Sequence, residues 1–95
     1  MAKLSTGSKT VTTAGTRERM VAVASNLSAK ALTIVAKSGN TGKVYVGNDG
    51  VTSSNAPELF PGDAFRIASD DPFNLSDVYL DVSVNGEGVE YCAVS

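Results

Sequence analysis

The sequence predicts an all-β protein: a single small β-sandwich or jelly-roll-like barrel of about seven short antiparallel strands with a flexible N-terminal arm. Three observations predict it. Short runs rich in Val, Ile, Thr and Tyr are separated by Gly, Asn, Asp and Pro. Several runs alternate apolar and polar residues, the pattern of a strand with one face on a core. No window of about 11–18 residues sustains a helical period. The chain has 95 residues, enough for one small domain and too few for two.

Residues 1–8 are mostly small and polar and read as the arm, leaving 9–95 as the sandwich. Thr10–Thr13 reads as a first edge strand and Arg19–Ala24 as the second. Ser25–Lys30 has room for one short turn. Ala31–Lys37 is the third strand, with Leu32, Ile34 and Ala36 on one face. Gly39-Asn40-Thr41-Gly42 turns the chain into a fourth, Lys43–Val46, with Val44 and Val46 inward and Tyr45 packing on the opposite face. Residues 48–61 form the longest irregular stretch. Pro61-Gly62 fits a type II turn, Pro presetting one φ and Gly accepting the next. Asp63–Ala68 is the fifth strand, with Phe65 and Ile67 on one side. Asp70-Asp71-Pro72 reads as an exposed loop that initiates a turn. In Asp77–Val84 the residues Val78, Leu80, Val82 and Val84 alternate with Tyr79, Asp81 and Ser83. Asn85-Gly86 suits a hairpin connection, and Val89–Val94 closes the chain with Val89, Tyr91 and Ala93 on one face.

Composition narrows the chemistry. Eight basic and ten acidic residues leave a net charge of −2, and Arg17 and Arg19 are the closest basic pair. A sequence-independent grip on nucleic acid needs several phosphate contacts, which this pattern does not supply. The chain has no His, which excludes Ser-His-Asp and Cys-His catalysis and His-ligated metal. A single Cys, Cys92, permits no intramolecular disulfide and no thiolate zinc cluster; in its apolar run it reads as a buried, inert thiol. Asp70-Asp71 and the pair Asp77 and Asp81 are the candidate acid–base carboxylates, but glycosidases also need a cleft with stacking aromatics, and there is no Trp. The expectation is a protein that is not an enzyme and carries no cofactor, metal or small-molecule substrate. No run approaches the ~18 apolar residues of a membrane span. The first ten residues lack the apolar core of a signal peptide, so synthesis and retention in the cytosol, at least until assembly, are expected. On that basis Asn26-Leu27-Ser28 and Asn74-Leu75-Ser76 are chance matches to the glycosylation triplet.

The stretch Gly42–Val51, GKVYVGNDGV, runs from a strand into a tight turn with an acid at its tip. Asn48-Asp49-Gly50 offers oxygens to Ca²⁺, but it has one carboxylate and lacks the EF-hand spacing. Asn, Asp and Gly also tolerate the left-handed conformations of a corner, which is the reading adopted for it.

Taken in order, several pieces are similar to a known group. Val44–Gly47 is followed by Val51-Thr52-Ser53-Ser54, then Leu59-Phe60-Pro61-Gly62-Asp63, then Leu75-Ser76-Asp77-Val78-Tyr79. This series, in Asn40–Ile67 and Asn74–Tyr91, resembles small β-rich virion structural proteins of tailed bacteriophages. Within that group it best fits head decoration (cement) proteins. The resemblance implies a structural protein on the outer capsid surface of the virion, commonly trimeric, that binds the major capsid protein lattice and stabilises the head. It carries over no catalytic residues. Expected contacts with the capsid or a neighbour fall on the arm and the long loop: Lys3, Leu4, Asn48, Asp49, Val51, Leu59 and Phe60. Two other readings stay open. One is a tail, baseplate or fibre-base component. The other is a carbohydrate-binding adhesion module presenting Tyr45, Tyr79 and Tyr91 on an outer face. Strand order is not readable at this level.

Overall fold

The computed structural model describes residues 3–25 and 27–95. Met1, Ala2 and the first residue of the Asn26-Leu27-Ser28 triplet lie outside them. The fold is all-β, two antiparallel sheets of four strands each. The strands are β1 (Leu4–Thr10), β2 (Glu18–Arg19), β3 (Ser28–Ala36), β4 (Val44–Gly47), β5 (Glu58–Leu59), β6 (Ala64–Asn74), β7 (Tyr79–Val82) and β8 (Gly88–Val94). One sheet has the order β1-β8-β3-β6 and the other β2-β7-β4-β5. The chain therefore changes sheet at nearly every connection, which is the winding of an eight-stranded jelly roll.

The core lies between the sheets and is built from the alternation visible in the sequence. Leu32, Ile34 and Ala36 of β3 are fully buried, as are Val44 of β4, Leu80 of β7 and Val89 of β8. Phe65, Ile67 and Tyr91 pack against this cluster while half-buried. Both glycine turns form as their residues dictate: Gly62 takes φ 85° and Gly86 φ 80°. At the open edge, Lys9 of β1 reaches Glu18 of β2 (2.9 Å), an ion pair that ties one sheet to the other.

Several boundaries differ from the sequence reading. Residues 4–8, expected as arm, are strand: β1 pairs with β8 from Leu4 opposite Val94 to Thr10 opposite Gly88. Backbone pairing outweighs a polar side-chain pattern at an edge, because the ladder bonds are independent of side-chain identity. The second strand is short; after Arg19 the chain bends, Met20 and Val21 are both buried, and Val23–Ser25 forms a 3₁₀ turn. Leu75–Asp77 is also 3₁₀, so β7 covers only the middle of Asp77–Val84, and Val84 is 40% exposed. Asp70-Asp71-Pro72 is part of β6 and not a separate loop. Ala29 opposes Phe73 and Ala31 opposes Ala68, so Lys30 alone faces the run Ser69–Pro72. The acids and the proline bulge from an edge strand, where a missing N–H costs no ladder bond.

Candidate functional site

The loops fall at two ends of the sandwich. At one end lie the connections β2–β3, β4–β5 and β6–β7, and at the other β1–β2, β3–β4, β5–β6 and β7–β8. The first end holds a polar cleft of about 280 Å³ lined by Arg19, Asn48, Asp49, Asp77 and Tyr79. The Arg19 guanidinium sits 4.9 Å from the centre of the Tyr79 ring and donates to the Ser76 carbonyl oxygen at 2.7 Å. Two expected contact residues, Asn48 and Asp49, thus meet Arg19, Asp77 and Tyr79, of which only Asp77 and Tyr79 share a sequence motif. Asp77, in the 3₁₀ turn before β7, and Tyr79, the first residue of β7, are neighbours in sequence; the pairing of β2 and β4 on either side of β7 brings Arg19 and the Asn48-Asp49 corner to them.

Asn48-Asp49-Gly50 is a corner, as expected. The Asn48 side-chain oxygen accepts from Gly50 N (2.9 Å), and Val51 N donates to the Asn48 carbonyl (3.0 Å). The loop is knitted further by Asn55, whose side chain accepts from Thr52 N (2.8 Å) and donates to the Gly50 carbonyl (3.0 Å). Among the described residues no group of three His, Cys, Asp or Glu side chains is placed to hold a metal ion.

Two expected contacts are core residues. Val51 is 3% exposed and lies on Gly47; Leu59 is 5% exposed, opposite Val44 in the short β5. The loop between them closes back onto the sheet, so their side chains face inward and offer no surface to a partner. Lys3 and Leu4 are exposed, Leu4 by 64%, and the Lys3 carbonyl accepts from Ser95 N (3.0 Å). Phe60 is 53% exposed at the opposite end, in the β5–β6 turn. Its backbone N–H donates to the Asp63 carboxylate (3.0 Å), and the Lys43 ammonium lies 5.3 Å from its ring centre. Lys43 also pairs with Glu58 at 3.0 Å, which holds its pKa above the ordinary lysine value.

The tyrosines expected on an outer face divide. Tyr45 is buried, on the face turned away from Val44 and Val46, as its packing role required. Tyr91 sits on the inner face beside Val89 and Ala93, with its ring over Gly7 of β1. Tyr79 alone lines the cleft. Asp81, an acid–base candidate in the sequence, is buried and structural: its carboxylate accepts from Gly15 N (2.9 Å) and Val82 N (2.8 Å). Cys92 is half-buried on the outward face of β8 and so departs from the expected buried thiol.

At the other end, Glu87 joins the β3–β4 turn to the β7–β8 connection. Its carboxylate accepts from Thr41 N (2.6 Å), Thr41 Oγ1 (2.9 Å) and Gly42 N (2.8 Å). The bond from Thr41 N is the main reason its pKa lies below the ordinary 4.5, and the Lys9 contact does the same for Glu18. A depressed folded-state pKa contributes stability above the unfolded value and loses it as pH falls through the folded value. Wild-type protein is therefore expected to lose thermal stability on acidification below about pH 4.5. The pair of changes Glu18→Gln and Glu87→Gln should flatten that part of a Tm–pH profile; an unchanged slope would remove these two groups as its cause.

No known protein family, curated protein or solved structure matches this chain.

Proposed function

We propose that this protein is a bacteriophage head decoration protein that binds the outside of the major capsid protein lattice and braces it. One observation carries the reading beyond the sequence resemblance. Leu4 and Phe60, two of the residues expected to touch a neighbour, are large apolar side chains left 64% and 53% exposed. They stand at opposite ends of a molecule whose longest extent is 38 Å. A brace must touch two neighbours at once, and exposed apolar side chains at both ends of a rigid sandwich suit that task. The pairing of β1 with β8 helps, because it holds Leu4 on a fixed strand.

The test is chromatography with light scattering on the protein mixed with empty, expanded shells of its own phage. Co-elution at a saturable stoichiometry is expected. Phe60→Asp should weaken shell binding about tenfold or more, the effect of losing an apolar anchor at an interface. Wild-type protein that never co-elutes with intact shells would overturn the reading and favour a tail, baseplate or fibre-base location.

A second reading, a carbohydrate-binding module, is favoured by the cleft in which Tyr79 and Arg19 meet Asn48, Asp49 and Asp77. Aromatic and polar groups side by side suit a sugar. A glycan array without a binder would remove it.

A further inference from the structure

The two sheets differ in what lies on their outer faces. On the β2-β7-β4-β5 sheet the outward residues Tyr45 and Asp81 are 6% and 4% exposed, and the β1–β2 loop reaches over to Asp81 through Gly15 N. The outer face of β1-β8-β3-β6 has no such cover among the described residues. The register sets its side chains in three rows. The first contains Leu4, Val94, Ala31 and Ala68. The second holds Cys92, Thr33 and Arg66, and the third Glu90, Val35 and Ala64. Leu4 and Val94 are 64% and 39% exposed, and a shallow depression of about 220 Å³ runs over Thr33, Val35 and Cys92. Within these rows the charged residues are one cation, Arg66, and one anion, Glu90; among the described residues neither forms an ion pair. Lys37, just beyond Val35, borders a further depression that Glu90 also lines, without bonding to it.

We infer that this face binds a second copy of the chain about a two-fold axis, with Arg66 of each copy meeting Glu90 of the other. The charges are self-complementary, which an isologous contact requires. Arg66 lies on β6 opposite Thr33, and Glu90 on β8 opposite Val35, so the midpoint between them falls on β3 between Thr33 and Val35. That point lies within about half a strand spacing and half a row of the centre of the bare face. With strands about 4.8 Å apart and a rise of about 3.4 Å per residue, an axis through it that exchanges the two positions runs towards the corner of Leu4 and Val94. Those two exposed side chains then pack on their own copies. Cys92 lies one strand from the axis point, close to its symmetry mate. A face four strands wide and three rows deep falls at the small end of specific interfaces, so a reversible dimer is expected and not an obligate one.

The pairing concerns the free protein and does not depend on the capsid reading; because both use Leu4, the reversible dimer has to open before that side chain meets a shell. Sedimentation of the free protein over a concentration series is expected to give twice the 9.8 kDa chain mass at the upper end. Arg66→Glu alone, or Glu90→Arg alone, places like charges together twice and should raise the dimer dissociation constant at least about tenfold. The two changes in one chain should restore it to within about threefold, as should an equimolar mixture of the two single variants. Both residues are exposed, and circular dichroism checks that each variant is folded. A short bis-maleimide should trap the wild-type dimer through Cys92. A monomer at millimolar concentration, or a trimer whose mass ignores both charge reversals, would overturn the inference.

Discussion

Alanine at Gly88 is expected to destabilise the fold by about 2–4 kcal/mol, a large part of the ~5–14 kcal/mol available to a domain of this size. Gly88 opens β8 opposite Thr10. A Cβ there would overlap the Lys9 carbonyl oxygen and lie 2.7 Å from the Thr10 Cα. Both are backbone atoms of the neighbouring strand and cannot rotate aside, so β1 must move away from β8. That movement strikes a joint: the Gly88 carbonyl also accepts from the buried Asn40 side chain (2.8 Å) and from Lys37 N (3.1 Å). Gly39→Ala is the control, since a Cβ there meets nothing within 4 Å. Urea unfolding should separate the two variants clearly. A Gly88→Ala midpoint equal to that of Gly39→Ala would show that β1 and β8 are not packed this closely.

The second large effect is a cavity. Leu80 has no exposed surface and sits in β7 between Glu18 of β2 and Val46 of β4, facing the other sheet. Leu80→Ala should cost about 3–5 kcal/mol, because strands bonded on both sides cannot collapse into the space. For a domain of this size that is a fall in Tm of roughly 12 °C or more. Leu4→Ala removes the same atoms from a side chain 64% exposed and should change stability by no more than about 0.5 kcal/mol. Similar Tm losses for the two variants would contradict the assignment of inner and outer positions. The contrast also has a functional use. Leu4 can be changed to probe binding without unfolding the protein, whereas Val51 and Leu59, which are buried, cannot.

The jelly-roll winding does not by itself choose a function. The same two-sheet architecture serves capsid and lectin domains alike, so function must be argued from the surface. Here the surface offers exposed apolar side chains at both ends, a bare sheet face with one cation and one anion in its rows, and a cleft with one tyrosine. The first supports a brace, the second a self-association face, and the third a ligand. The experiments on shells, on charge-reversed variants and on glycans address them separately.

The all-β class, the inward faces of β3 and β8, and most of the turns were legible in the residues alone. Period-two alternation in Leu32, Ile34 and Ala36 is a local property of an extended chain, and a glycine after Pro61 or Asn85 adopts positive φ by its own sterics. Every feature that depends on which strand lies beside which needed the assembled fold. The two-residue strands β2 and β5 carry no pattern of their own and exist because β7 and β4 offer them an edge. β1 is strand because β8 pairs with it, although LSTGSKT reads as polar linker. Val51 and Leu59 turn inward because their loop closes back onto the sheet. Arg19, Tyr79 and Asp49 share a cleft, and Arg66 and Glu90 share a bare face, only after the order of the sheets is set. Local sterics act over two or three residues, whereas register couples residues dozens apart, and no short pattern encodes that coupling.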